Sequence, residues 1–199
     1  MRDIIKMIVV LTVISTVMGA TLSLVESITR EPIKFSKIKF VKGPAVVAVL
    51  PECENDPIQD YKEGVVLEEK AGQKIIKSIF PARKNGKCVA VAFEVTGQGF
   101  HGPLGIMIGV DLKTGKLTGM RVMTHTETPG LGARATEPAF YKQFSGLGIK
   151  DVVLSDQGGK VDAITGATIT SQGVLGAVKA GLQLFSRSKD KIMGAVGAG

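Results

Sequence analysis

The chain has 199 residues, of which 44% are hydrophobic and 22% are charged, and its formal net charge is +7. A chain of this length can form one globular domain with a substantial core, but not two large domains. The positive charge is compatible with nucleic acid, anionic lipid or an anionic cofactor. Because the sequence has no zinc-finger spacing, no ribonucleoprotein aromatic motif and no dense arginine–aromatic stripe, nucleic acid is not predicted as a partner.

The first predicted element is a transmembrane helix within residues 1–25, because residues 7–25 carry no charged side chain. A helix over that run approaches the roughly 30 Å hydrocarbon core of a bilayer. A cleaved signal peptide is the alternative, but its apolar core is usually only about 7–15 residues long. We therefore predict a retained, single-pass membrane anchor.

A basic stalk is predicted at residues 26–43, where lysines suit anionic headgroups or a neighbouring protein, and equally suit a solvated linker. A simple count of positive charges would place the rest of the chain in the cytoplasm. Long domains cross membranes largely regardless of charge, so the count leaves the orientation open. Residues 51–64 are acidic and rich in turn formers, which predicts irregular surface.

The two cysteines, Cys53 and Cys88, lie far apart and form no C-x-x-C pair. With only two histidines in the chain, neither an iron–sulfur cluster nor a zinc site is indicated, and no metal site is predicted. An oxidising compartment would allow a disulfide between the two cysteines. We favour two separate thiols.

Two β-hairpins are predicted next. Apolar runs at residues 74–80 and 87–95 flank Asn-Gly at 85–86, and Asn-Gly supplies the two positive φ angles of a type I′ turn. A second pair of apolar runs, at residues 104–112 and 117–124, flanks another short turn. Two consecutive hairpins indicate an antiparallel sheet.

An amphipathic helix is predicted over residues 174–185, with its start near 169–171. We expect this helix to pack on the sheet, so that residues 44–188 form one α+β domain behind the anchor. Residues 189–199 end in glycine and alanine and are predicted to be a flexible tail. The apolar side chains at helical spacing are Val174, Val178, Leu182 and Phe185.

The stretch "DAITGATITSQG", residues 162–173, places four hydroxyl side chains where this helix should begin. One hydroxyl could cap the helix by accepting a bond from a free backbone N–H. The same free N–H groups could instead bind a phosphate. No Gly-Lys-Thr follows, so the stretch is not a Walker A loop. Both interpretations stay open from these residues alone.

Two further clusters precede this stretch. "GQGFHGPLG", residues 97–105, has more glycines than a simple hairpin requires, and glycine lets the backbone approach a ligand. "HTETPGLG", residues 125–132, places polar side chains before a predicted Pro-Gly turn. Taken singly, each pattern is weak: the first is typical of a glycine-rich hairpin, and Glu127 would be a solvated carboxylate.

In this order, the clusters resemble the covalent FMN-binding domain found in the G subunit of Rnf complexes and in the C subunit of the sodium-pumping NADH:quinone reductase. The resemblance covers about residues 87–185. Its most specific motif, D-x-x-[ST]-G-A-T, is matched by residues 162–168. In this family the last threonine of the motif carries FMN through a phosphoester bond, made by a separate flavin transferase. The resemblance therefore implies Thr168 as the attachment residue.

The resemblance also implies a set of cofactor-binding residues. Thr126, Glu127 and Thr128 are expected to bond the ring edge or the ribityl chain. Leu131 and Phe100 are expected on opposite faces of the ring, and Asp162 either aligns the hydroxyl during transfer or is an ordinary turn carboxylate. The complete predicted set is Gly99, Phe100, His101, Gly102, Thr126, Glu127, Thr128, Leu131, Gly132, Asp162, Thr165, Gly166 and Ala167.

The implied function is electron transfer by a membrane protein that does not turn over a substrate alone. The family couples electron transfer between ferredoxin and NAD to ion transport, and holds its flavin domain outside the cytoplasmic membrane. Expected partners are the other membrane subunits and the flavin transferase. The alternatives are an FMN carrier of another membrane reductase or extracellular electron-transfer system, and a cofactor-free extracytoplasmic binding module.

Overall fold

A computed structural model describes residues 2–70 and 73–197. The chain divides into two units, one ending at Phe40 and the other beginning at Val41. The first unit is dominated by helix α1, Arg2–Ser36. Within α1, the 29 residues Arg2–Arg30 are long and apolar enough to cross a membrane. This agrees with the predicted apolar helix at residues 7–25.

The three threonines in the apolar part of α1 are satisfied within the helix. Thr12, Thr16 and Thr21 each donate a hydrogen bond of 2.8 Å to the carbonyl four residues earlier. A hydroxyl bonded in this way exposes no free donor to a lipid environment, where water could not compensate for it. The residues of the predicted stalk are helical: α1 continues to Ser36, a π-helical segment covers Lys37–Lys42, and α2 covers Gly43–Val49.

The second unit contains a five-stranded sheet in the order β1-β2-β3-β4-β5, with every neighbouring pair antiparallel. Both predicted hairpins are present, and Asn85 and Gly86 have φ of 52° and 71°, as a type I′ turn requires. The strands are β1, Lys62–Lys70; β2, Gln73–Lys84; β3, Lys87–Gln98; β4, Pro103–Asp111; and β5, Leu117–Thr124.

The first strand corrects the prediction of irregular surface over residues 51–64. The chain is irregular up to Tyr61, but β1 begins at Lys62. β1 has only three consecutive apolar residues, 65–67, between charged ends, so its sequence shows no strand alternation. The strand forms because β2 supplies its hydrogen-bond partners. Cys53 and Cys88, on the neighbouring loop and on β3, are both free thiols.

Helix α4, Thr168–Val196, covers one face of the sheet. Its predicted apolar side chains are all buried, which confirms the helix and the face that it presents to the core. The prediction of a flexible tail is wrong for residues 189–196, because α4 continues through them and Ile192 and Val196 are buried. Arg83 of β2 donates a 2.6 Å hydrogen bond to the carbonyl of Val196, which fixes this end of the helix.

The opposite face of the sheet is covered by α2. A Cβ on Gly109 of β4 would lie 2.3 Å from the carbonyl oxygen of Val49, whereas the neighbouring Ile108 contacts the α4 side at Gly181. Since successive strand residues point to opposite faces, α2 and α4 enclose the sheet between them. Short helices lie in the connection from β5 to α4: Gly132–Thr136, α3 at Pro138–Tyr141, Lys142–Phe144 and Ser155–Gln157. The fold is therefore α+β, as predicted.

The start of α4 lies unusually close to the end of β3. A Cβ on Gly173 would lie 2.0 Å from the carbonyl oxygen of Gln98, and a Cβ on Gly97 would lie 2.5 Å from the carbonyl oxygen of Gly173. Both clashes involve backbone atoms, which cannot rotate away. Glycine at these two positions is therefore a condition for the helix to sit where it does.

We expect Gly173→Ala to destabilise the domain by about 1–3 kcal/mol, because the added methyl group forces α4 away from β3. Gly176→Ala is the matched control: nothing lies within 4 Å of a Cβ there, so helix propensity should raise stability by up to about 1 kcal/mol. Thermal unfolding of the purified chain in detergent, followed by circular dichroism, measures both. Equal melting temperatures for the two variants would contradict the close-packing argument.

Candidate functional site

A cavity of about 440 Å³ lies where three segments of the domain meet. The segments are the loop after β3, the loop after β5 and the first turn of α4. This volume falls within the roughly 300–1,000 Å³ typical of cofactor pockets. The lining residues are Phe100, His101, Glu127, Thr128, Leu131, Gly132, Gly166, Ala167, Thr168, Ile169 and Thr170. The structure thus brings together residues from all three motifs that the sequence singled out.

The four hydroxyl residues within residues 162–173 have different roles. Ser171 is buried, accepts a 2.9 Å bond from the Ile164 N–H and donates a 3.0 Å bond to the Ala167 carbonyl. Thr170 is also buried and donates a 2.6 Å bond to Glu127. These two hydroxyls hold the first turn of α4 in place, so neither is available for other chemistry.

Thr168 is different, because its side chain is exposed and lines the cavity. Helix α4 begins at Thr168 without a side-chain cap. Within the described residues, no hydrogen bond links the Thr168 hydroxyl to another protein group. The capping interpretation therefore does not account for this threonine. Its hydroxyl is free at the positive end of a 29-residue helix, which is the environment that favours a phosphate.

Large apolar side chains surround the mouth of the cavity. Phe100 is 64% exposed, Ile169 is 54% exposed and Leu131 is 45% exposed. Exposed apolar groups gathered in one place indicate a binding surface, and these three could cover a flat ring. Together with the free helix end, they make the cavity fit FMN, which has an apolar ring system and a terminal phosphate. The predicted set did not include Ile169 or Thr170, because their place in the helix pattern gives no signal that they face a cavity.

The loop after β3 is held in shape by backbone and side-chain hydrogen bonds. The Gly99 N–H donates a 2.8 Å bond to the Gly102 carbonyl, and Thr126 donates a 3.0 Å bond to the His101 carbonyl. The Thr128 hydroxyl lies 3.4 Å from Nδ1 of His101. These contacts place Gly99, Gly102 and Thr126 behind the cavity wall, where they support the loop and do not themselves line the cavity.

Glu127 is the only buried carboxylate among the described residues, with 6% of its surface exposed. One carboxylate oxygen accepts the bond from Thr170, and the other accepts a 2.9 Å bond from the His101 N–H. Burial acts to raise the pKa of Glu127, but the hydrogen bonds from Thr170, His101 and Phe100 outweigh it and hold this pKa below its ordinary value. Glu127 therefore links all three segments of the site as a hydrogen-bonded carboxylate.

Asp162 and Thr165 do not line the cavity that contains Thr168. They line a separate cavity of about 340 Å³, together with Gln143 and other residues of the connection. The Asp162 carboxylate accepts a 2.7 Å bond from Ser155, and its backbone N–H donates a 2.7 Å bond to the side chain of Gln143. These bonds fix the conformation of the loop that leads to Thr168.

Comparison with known proteins identifies the family. Residues 99–183 match the FMN-binding domain family. The chain is 33% identical over 186 residues to the G subunit of the ion-translocating oxidoreductase complex of Methanosarcina acetivorans, covering 93% of this chain and 96% of that protein. The chain belongs to this family of G subunits. The corresponding protein from Cereibacter sphaeroides is 31% identical over 188 residues, with 90% and 83% of the two chains covered.

A solved structure shares the fold. The C subunit of the Na⁺-translocating NADH-quinone reductase from Parabacteroides distasonis aligns with a TM-score of 0.59 and 24% identity, covering 80% of this chain and 96% of that one. The family resemblance predicted from the motifs and the predicted fold class are both confirmed. The region that matches the FMN-binding domain family contains every residue that lines the cavity of Thr168.

We expect Glu127→Gln to destabilise the unloaded chain near neutral pH by about 1.5–3 kcal/mol, because hydrogen bonds to a charged group are lost. The pKa of Glu127 is lowered in the folded state, so its contribution is complete above the unfolded-state pKa and is lost as the pH falls through the folded-state pKa. The difference in stability between the wild-type chain and Glu127→Gln should therefore become smaller in acid.

Thermal unfolding at neutral pH and at a pH below the ordinary glutamate pKa measures this difference. Glu137→Gln is the matched control, since Glu137 is an exposed carboxylate that forms an ion pair with Arg134, three residues earlier. A stability difference for Glu127→Gln that stays constant with pH would contradict the assignment of Glu127 as a charged, buried group.

Proposed function

We propose that this chain is a membrane-anchored flavoprotein that carries FMN on Thr168 through a phosphoester bond. The observation that supports this most directly is the free, exposed hydroxyl of Thr168 at the uncapped start of α4. Thr165 precedes it by three residues but lines the other cavity, with Asp162. Thr168 thus combines an available oxygen with a site that fits FMN.

The bond would be made by a separate flavin transferase. The Thr168 oxygen attacks the phosphorus of the FMN half of FAD and forms the phosphoester bond. The bond between the two phosphates of FAD breaks, AMP leaves, and the hydroxyl proton passes to solvent. This requires a hydroxyl that another protein can reach, and Thr168 and its neighbour Gly166 are both exposed. Asp162, which we predict to align the reacting groups, lies on the same exposed loop and would be reachable by the transferase.

FMN would supply the ability to accept one or two electrons, and so to connect one-electron and two-electron partners. The residues of this chain hold and shield the group. Leu131, Phe100 and Ile169 provide apolar surface for the ring, while the side chains of His101 and Thr128 offer polar contacts at the cavity wall. The covalent tether keeps the group in place when its charge changes.

We further propose that the chain works with other membrane subunits in an Rnf-type complex that couples ferredoxin/NAD electron transfer to ion transport. Its relatives are named subunits of ion-translocating oxidoreductase complexes, and α1 contains a stretch that is long and apolar enough to anchor it. The FMN-binding domain would lie on the extracytoplasmic side of the cytoplasmic membrane, with the short N-terminal end of α1 in the cytoplasm.

Thr168→Val should abolish the flavin modification when the chain is produced together with a flavin transferase. Intact mass and fluorescence of the denatured band in a gel both report the covalent group. Thr165→Ser is the matched control and should stay modified, because it keeps the D-x-x-[ST]-G-A-T motif. Thr168→Ser should keep a modified fraction because serine retains the nucleophile. A fluorescent Thr168→Val band would move the attachment site away from Thr168.

The proposed orientation predicts which end of the chain is reached from outside the cell. In a Cys53→Ser background, Thr114→Cys should react with a membrane-impermeant maleimide in intact cells, since Thr114 is exposed on the turn after β4. Asp3→Cys, at the start of α1, should react only after the membrane is opened. The reverse labelling pattern would place the FMN-binding domain in the cytoplasm.

A further inference from the structure

Glu127 is a buried carboxylate to which the described residues provide hydrogen-bond donors but no lysine or arginine partner. Among the described residues, no lysine or arginine forms an ion pair with Glu127. His101 is the only titratable side chain among them with an electrostatic effect on it. Its remaining partners are the hydroxyl of Thr170 and backbone N–H groups. These donors stabilise the carboxylate but leave its net charge in place.

The space around this carboxylate is fixed by two glycines. A Cβ on Gly99 would lie 2.4 Å from Oε1, and a Cβ on Gly132 would lie 2.2 Å from Oε2. Neither position could carry a side chain without displacing the carboxylate. The two glycines belong to the loops after β3 and β5, and Thr170 belongs to α4. Glu127 therefore occupies a place that three separate segments leave for it.

We propose that Glu127 is a positioning residue that joins the three segments of the site through Thr170 and the backbone of residues 100–101, and that its negative charge lowers the reduction potential of the flavin held in the cavity. This inference rests on the proposed function. Glu127 lines the same cavity as Thr168. Reduction adds negative charge to a flavin, and a fixed negative charge in a poorly solvated site opposes that addition.

The structure predicts opposite effects for the two partners of the 2.6 Å hydrogen bond. Glu127→Gln removes the charge and should shift the midpoint potential of the flavin to a more positive value. Thr170→Val keeps the charge but removes the O–H group that partly offsets it, so the potential should shift to a more negative value. A role that was only structural would loosen the site in both variants and would not give shifts of opposite sign.

The experiment is a spectroelectrochemical titration of the full-length, flavin-loaded chain in detergent. Glu137→Gln, which removes an exposed carboxylate outside the cavity, should leave the potential unchanged. Thr170→Ser should have the wild-type potential, because it keeps the hydroxyl. A Glu127→Gln potential at or below that of the wild type would overturn the inference, as would a Thr170→Val shift in the positive direction. If Glu127→Gln or Thr170→Val does not fold, the shift in potential of the other variant still tests the inference.

Failure of this inference is distinguishable from failure of the proposed function. Fluorescence of the denatured wild-type chain is measured first, and its absence overturns covalent flavin attachment. A double-mutant cycle of Glu127→Gln and Thr170→Val on the unloaded chain then tests the positioning role without any cofactor. Additive losses of thermal stability would overturn that role, whereas a coupling between the two changes supports it.

Discussion

The contact between α4 and β3 is the constraint on which the site depends. Gly173 rests against the carbonyl of Gln98, and Gly97 rests against the carbonyl of Gly173, so the two backbones touch without intervening side chains. Helix α4 begins five residues before Gly173, at Thr168. A helix held this closely to the end of a strand presents its first turn to the loop that follows the strand. The position of Thr168 beside the loop at residues 99–102 is therefore a result of helix–sheet packing, and not of any local feature of the threonine.

The first turn of α4 divides its tasks among neighbouring hydroxyls. Ser171 ties the turn to the preceding loop, through Ile164 and Ala167, and Thr170 ties it to Glu127. Because these bonds already fix the turn, Thr168 is not needed as a cap. The helix can then begin with its N–H groups available to a ligand and with one hydroxyl unused. Thr170 and Ser171 thus have structural roles, whereas Thr168 keeps a free hydroxyl.

The sequence predicted those parts of the fold that depend on local patterns. Asn85-Gly86 fixed the first hairpin, and the spacing of Val174 to Phe185 fixed the buried face of α4. It did not predict β1, which has only three consecutive apolar residues between charged ends. Nor did it predict the last turns of α4, where burial of Ile192 and Val196 depends on contacts with distant parts of the chain. Within the site, Glu127 taken alone would be a solvated carboxylate. Its burial depends on Gly99, Gly132 and Thr170, and no local pattern shows that these positions meet.

A carboxylate at the centre of the site is a costly way to join three segments. Removing a charge from water opposes folding, and apolar side chains of similar volume often stabilise such a position as well or better. Hydrogen bonds from one hydroxyl and two backbone N–H groups offset part of this cost, and two glycines leave space for the carboxylate. The fold supplies no lysine or arginine from the described residues, although an ion pair would offset the charge more fully. Joining the segments alone does not explain why a carboxylate without a lysine or arginine partner is retained beside the cavity, whereas the proposed electrostatic effect on a flavin held there does.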